Sequence, residues 1–475
     1  MNDSHENARA IFAENVIIGD RSSRISSSIF ALLWIVPIFS TILFGAVDNA
    51  TWVFITIFWA AIVLLWLGEA WKANGLLINS SVIQLPLIAL LLLGIIQLMP
   101  LGGGDAGGLL GVPTSRALSL DPYTTRFFVL HLVVYISFFA ACLTFINNEN
   151  RLKKTVLMVI VFGAVMAFLG ILQRLANPDG IYGLRNTPQA IPFGPFVNQH
   201  HFAAFMELTA GPTLALLLGK RVAKDKKILL AFALVVMAAA VALTGSRGGM
   251  LGIFSVAAFV ALLNLFSGRW SRDKRSAMEP AKSKLQQRAA LAAGAAALIF
   301  VIFGFVLLLG GNEQLFRGLG VTEIQDGVSN GRSHFWAIAL QIFYEHPILG
   351  AGLEAFGVAF TQHDTWNGML RVEQAHNEYL QMLADAGIAG FLCVVVFIYF
   401  LFRKGLATIS RARGFRREAA IGALAGCFGI LIHSFFDFPL RTPSNAFFFL
   451  LLCALAVVPI GSNRSARHRV TAPSR

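Results

Sequence analysis

Five short stretches of this sequence carry residue types that could do chemistry, and their spacing narrows what that chemistry would be. Thr244-Gly245-Ser246-Arg247-Gly248-Gly249 sets a guanidinium between glycines, which let a backbone turn sharply and approach a ligand closely. Asn330-Gly331-Arg332-Ser333 sets another at the start of an amphipathic run, where free helix N–H groups also favour anions. Ala375-His376-Asn377-Glu378-Tyr379 supplies an imidazole, the usual side chain for taking a proton from a hydroxyl near neutral pH. Phe196-Val197-Asn198-Gln199-His200-His201-Phe202 is followed by Glu207 inside an apolar run, and an acidic group in a membrane helix faces a partner or a cavity. The fifth stretch runs from His433 through Asp437 to Arg441.

Arginine's planar fork matches phosphate oxygens, so the set points to a phosphate-bearing ligand and a proton-accepting base. Each feature also has a purely structural reading. Arginines at helix ends anchor them at the interface, a lone histidine commonly packs between elements, and Asp437 and Arg441 are placed to form an ion pair in a short turn. His200, His201 and Glu207 match no standard zinc spacing, so no metal is expected. The chain contains no Walker A or HExxH pattern.

Composition says which elements must hold these residues. Of 475 residues, 56% are apolar and 13% charged, with a mean hydropathy of +0.68. Soluble chains run about 45–50% apolar and about 25% charged, so the expected class is an all-α polytopic membrane protein. Apolar runs of near-spanning length fall at 29–47, 51–70, 82–100, 126–146, 155–173, 201–219, 228–245, 249–266, 290–310, 386–402, 419–437 and 443–460. Three regions follow: spans one to nine in 1–310, a helical outer loop in 311–385, and spans ten to twelve with a basic tail in 386–475. Residues 1–28 are polar, so no cleavable signal is expected. Cys142, Cys393, Cys427 and Cys453 lie in apolar runs and read as buried hydrophobes.

The basic residues orient these spans. With the N-terminus inside, the inner segments hold 29 Lys and Arg residues, including all eleven lysines, and the outer segments hold nine, all arginine. That asymmetry puts both termini in the cytoplasm and accounts for the net charge of +13 without nucleic acid. The outer arginines are left in need of another reason. In the outer loop 311–385, helices are expected at Arg332–His346, stopped by Pro347, and from about Val372 to Ala386, stopped by Gly387. They would lie along the outer interface and roof a cavity. Residues 174–200, rich in glycine and proline, are expected to be ordered coil. ATP is absent outside the cytoplasm, so the energy for any reaction there must arrive with the substrate. A lipid-linked diphosphate sugar is pre-activated, membrane-bound and anionic.

At these residues the chain resembles the O-antigen ligase and O-antigen polymerase superfamily (the WaaL and Wzy types). His376-Asn377, nine residues and Gly387 look like that family's His-Asn-x9-Gly signature. Ser246-Arg247-Gly248, the 196–203 stretch, Asn330-Gly331-Arg332 with Trp336, and His346-Pro347 through Gly350 to Gly352 support it. Ser119 to Arg126 and Asp437-Phe438-Pro439-Leu440-Arg441 are similar to exopolysaccharide members.

The resemblance implies a GT-C-like glycosyltransferase of the bacterial inner membrane with its site facing the periplasm, working without metal or other cofactor. Its donor would be an undecaprenyl-diphosphate-linked oligosaccharide and its acceptor a glycan hydroxyl. Arg247 and Arg332 would hold the diphosphate and His376 would activate the acceptor. Asn198, His201, Glu207, Asn377, Asp437 and Arg441 are the further expected substrate contacts. The family's loop often reads Asn-Arg-Asn-His where this chain has Asn198-Gln199-His200-His201, and His201 fits the motif's histidine position. The expected activity is polymerisation of repeat units, with chain length set by a partner protein. The alternative is ligation of glycan to lipid A–core or a protein. A flippase would be a different class, but transporters usually place their sites near the midplane, and here the polar chemistry collects on one face.

Overall fold

The computed structural model describes residues 23–75, 77–102, 116–177, 180–187, 190–270, 332–365 and 371–460. In chain order the helices are α1 (Arg24–Ile42), α2 (Asn49–Ala73), α3 (Leu85–Gln97), α4 (Pro122–Phe145), α5 (Glu149–Ala176), α6 (Gln199–Leu218), α7 (Lys224–Thr244) and α8 (Arg247–Trp270). After the gap come α9 (Arg332–Glu345), α10 (Phe356–Thr361), α11 (Glu378–Arg411), α12 (Phe415–His433) and α13 (Pro443–Val457). Among the described residues, eight helices are long and apolar enough to cross a membrane. The protein is therefore an all-α polytopic membrane protein.

Three of the twelve expected spans come out differently. The runs at 82–100 and 443–460 form shorter apolar helices, Val82–Gln97 and Pro443–Val457. The run at 419–437 becomes α12, which is not among the eight. It is rich in Gly and Ala and almost wholly buried. Arg416, Arg417 and Glu418 at its start set it apart from the eight, and the rest of it touches helices on all sides. It packs most heavily on α6, which is buried from His201 to Leu216. A Cβ on Gly422 would stand 2.5 Å from the Pro212 Cα, and one on Gly211 2.5 Å from the Gly422 oxygen. The expected span at 290–310 lies outside the described residues.

Segment 174–200 is also not pure coil. α5 runs on to Ala176, and Gly180–Ile181 (β1) pairs antiparallel with Arg185–Asn186 (β2).

The helices alternate in direction, as their contacts show. At one end, Glu69 meets Ser23, Asn79 meets Leu143 and Thr144, Lys404 meets Ser81, and Lys220 meets Glu418. At the other end lie the α7–α8 turn, the start of α6, the start of α11 and the 434–442 turn. The lysine-rich segments thus sit opposite the expected site residues.

α11 has a break that explains the spacing of the signature. Asn377 is its N-cap, so His376 and Asn377 precede the helix instead of riding on it as expected. Nine residues later Gly387 has φ +59° and ψ −164°, a conformation essentially reserved for glycine. The carbonyls freed there are claimed by the 347–353 segment: Ala351 N donates to Ala384 O at 2.8 Å and Gly352 N to Asp385 O at 2.9 Å. A Cβ on Gly387 would come within 2.4 Å of Ile348 O. Gln97 locks the joint, donating to Leu349 O at 2.5 Å and Asp385 O at 2.9 Å, and accepting from Leu353 N at 2.9 Å. Gly387→Ala is expected to cost roughly 2–3 kcal/mol from strain and clash together, seen as a lower apparent melting temperature of the reconstituted protein. An unchanged melting curve would mean the joint is soft.

Candidate active site

Five separate pieces of chain converge at the lysine-poor end. Gly245, with φ +65°, caps α7 in the left-handed conformation, and the chain re-enters helix at Arg247. The Ser246 hydroxyl accepts from Gly249 N at 3.0 Å, the geometry of an N-cap, and lies 2.8 Å from His200 Nδ1. This fixes Arg247 in the first turn of α8. The Arg247 side chain is partly exposed and takes part in no ion pair among the described residues. A partly buried cation with no counter-charge, at a helix start, suits an anion.

Asp437 sits at the centre, 1% exposed. Its Oδ1 accepts from Phe438 N at 2.9 Å and lies 3.2 Å from His376 Nδ1. Its Oδ2 is 3.8 Å from Arg332 Nη2 and 4.0 Å from His200 Nδ1. Burial alone would raise the Asp437 pKa, but the His376 hydrogen bond and the surrounding His200, His376 and His201 outweigh it and hold it well below the usual carboxylate range. A depressed carboxylate stabilises the fold above its unfolded-state pKa and loses that contribution only as pH falls through its lowered value. Asp437 is thus a fixed negative charge throughout the neutral range.

His376 is held on every side but one. Its backbone adopts φ +51°, an uncommon conformation for a non-glycine residue and one that clusters at functional sites. The ring lies 6.1 Å from Phe335, nearly parallel, and 4.9 Å edge-on from Phe438. With Nδ1–H donated to Asp437, Nε2 is the free proton acceptor.

The other expected site residues divide. Asn198 caps α6, accepting from His200 N at 2.8 Å. Asn377 caps α11, accepting from Tyr379 N at 3.0 Å and Leu380 N at 3.1 Å. Both carbonyl oxygens are used for capping. His201 is buried, with Nδ1 2.7 Å from Thr442 Oγ1. Glu207 is fully buried and pairs with His433 at 2.7 Å. It faces Gly252 of α8, where a Cβ would stand 2.2 Å from its carboxyl carbon. In this position Glu207 ties α6 to α12 and α8 and has no access to a substrate.

The expected Asp437–Arg441 ion pair does not form. Residues 439–441 make a short 3-10 turn, which points the two side chains apart. Arg441 instead gathers Glu354 at 2.5 Å, Asp385 at 2.9 Å and Glu378 at 3.4 Å. Burial would lower its pKa, but the three carboxylates outweigh that and raise it. Its charge is fully engaged, so Arg441 braces the 437–442 turn and is not available to an anion.

Sequence reasoning named His200 and His433 without giving either a role, and passed over Glu354 and Asp385. An acid in an apolar helix was a readable signal for Asp385. Nothing in sequence singled out Glu354.

A cavity of about 1310 Å³ opens beside His376. His376, His201, Glu354, Gln374 and Arg441 lie in its wall, and Arg247, Arg332 and Asp437 do not. Its deeper part is apolar, between α3, α4, α11 and α13.

No curated protein matches the chain. Residues 232–395 match a family model described as O-antigen ligase. That stretch runs through the turn of Arg247, the start of α9 and the kink at Gly387, the same pieces on which the His-Asn-x9-Gly resemblance rests, and over it the chain is similar to the O-antigen ligase and polymerase superfamily.

Proposed function

We propose that this protein is a periplasm-facing glycosyltransferase that joins undecaprenyl-diphosphate-linked oligosaccharide repeat units into a surface polysaccharide. The observation that carries the reading is the His376–Asp437–Arg332 constellation, 3.2 and 3.8 Å across, with Arg247 uncommitted nearby. It pairs a base oriented by a carboxylate with guanidiniums suited to a leaving diphosphate. The concentration of lysines at the opposite end of the helices supports a periplasmic face.

In this mechanism Arg247 and Arg332 bind the diphosphate and neutralise the charge that grows as it leaves. His376 Nε2 takes the proton of the acceptor hydroxyl, and Asp437 stabilises the imidazolium that results. The acceptor oxygen bonds to the anomeric carbon as the bond to the diphosphate oxygen breaks, inverting that centre.

The second reading is transfer of finished glycan to lipid A–core, which the family description favours. One experiment separates the two. Purified protein in nanodiscs receives the lipid-linked repeat unit of its own host, and the products are run on a gel. A ladder from that substrate alone is expected. Product only when lipid A–core is added would replace polymerase by ligase, and lipid movement without glycan transfer would replace both by a flippase.

A further inference from the structure

His376 is the one expected catalytic residue in the wall of the 1310 Å³ cavity. Its Nδ1 edge is taken by Asp437, which does not line the cavity, so the Nε2 edge is the one available to it. Glu354, Glu373, Gln374 and Glu378 line the cavity, together with Tyr123 and Trp52. Neither guanidinium in this wall is free: Arg441 is shared by Glu354, Glu378 and Asp385, and Arg371 lies 3.1 Å from Glu373. The wall thus carries an excess of carboxylates. It also holds an unpaired buried group. His201 is 8% exposed, lines the cavity, and its Nε2 finds no hydrogen-bond partner among the described residues. An unpaired polar atom in a buried wall is costly.

We propose that this wall is the acceptor subsite, and that the sugar presented there carries no acidic group. Carboxylate and amide oxygens accept hydrogen bonds from several hydroxyls of one ring, and the exposed Tyr123 ring offers a flat face to its apolar side. A uronic acid or a phosphate would meet like charge with no free cation among the described residues of this wall to answer it. The diphosphate belongs with Arg247 and Arg332, outside this cavity. His376 stands between, so the acceptor proton passes to Nε2 while the acceptor oxygen attacks the anomeric carbon and the diphosphate leaves with the bonding electrons. The inference rests on the transferase reading above.

The test uses the full chain in nanodiscs and two separate readouts. One is binding of undecaprenyl diphosphate. The other is the acceptor KM at saturating donor, using the methyl glycoside of the host repeat unit or, if only that accepts, core oligosaccharide. Glu354→Gln is compared with Glu373→Gln and Tyr123→Leu. Glu373 has a side chain 62% exposed and Tyr123 is 68% exposed, so those two changes spare the fold if Glu354→Gln does not. The acceptor KM is expected to rise about tenfold in Glu354→Gln, the equivalent of one lost hydrogen bond to a charged group, and less in the other two. Binding of undecaprenyl diphosphate should stay within about twofold. An unchanged acceptor KM in every folded variant, with transfer and diphosphate binding intact, would overturn the subsite and leave the transferase standing. So would an acceptor whose terminal sugar proves to be a uronic acid or phosphorylated. Failure of the wild type to bind undecaprenyl diphosphate or to transfer to either acceptor would overturn both.

Discussion

Replacing His376 with alanine is expected to slow glycan transfer by about 10²- to 10⁴-fold, the range of a lost general base, while undecaprenyl diphosphate still binds. His376 touches neither Arg247 nor the turn that carries it, so the diphosphate site should survive the change. Asp437→Asn should follow it part of the way. The amide preserves shape, but it removes the fixed negative charge that accepts from His376 Nδ1 at 3.2 Å. Without that acceptor the imidazole is free to present the wrong tautomer, and the imidazolium loses its counter-charge. A rate loss of about 10²-fold is a reasonable expectation for Asp437→Asn. Transfer rate and donor binding, measured side by side on each variant, check both statements. A His376→Ala protein that turns over at the wild-type rate would remove the imidazole from the chemistry.

Arg247→Ala should have an effect of similar size by a different route. Loss of one preorganised cation from a leaving group costs about 10²–10³-fold in rate, and here donor affinity should fall as well. The two arginines are distinguishable. Arg247 makes no ion pair among the described residues, so its removal should act on the donor alone. Arg332 also lies 3.8 Å from Asp437, so Arg332→Ala should disturb the His376 side too and lower the rate even at saturating donor. Lysine at position 247 should restore only part of the loss, because an ammonium cannot grip a diphosphate bidentately. Binding and single-turnover rates for the three variants decide it. Unchanged donor affinity in both alanine variants would mean the diphosphate is held elsewhere.

Much of this protein is legible without coordinates. Hydropathy placed most of the helices, and the basic residues separated the two ends, because lipid and leaflet charge act on local sequence. The Gly245–Arg247 turn was equally local: a glycine cap followed at once by a new helix start. The run at 419–437 was read as a span and forms α12, which starts earlier, at Phe415, with Arg416, Arg417 and Glu418 in its first turn. The Val372–Ala386 helix was begun too early because apolar spacing does not mark an N-cap. Asn377 does, and it leaves His376 in a left-handed conformation outside the helix.

What the sequence by itself determined is the class of molecule and a short list of candidate residues: Arg247, Arg332, His376 and Asp437 among them. What only the tertiary structure decided is which of them meet. Asp437 and Arg441, four residues apart, would pair on an α-helix, but a 3-10 turn holds them and they part. Asp437 turns to His376, 61 residues away in sequence, and Arg441 to three carboxylates drawn from two other segments. Glu207 pairs with His433, and the Asn377 carbonyl caps a helix. Partner choice of this kind depends on side-chain direction across packed helices, and no spacing along a single chain encodes it.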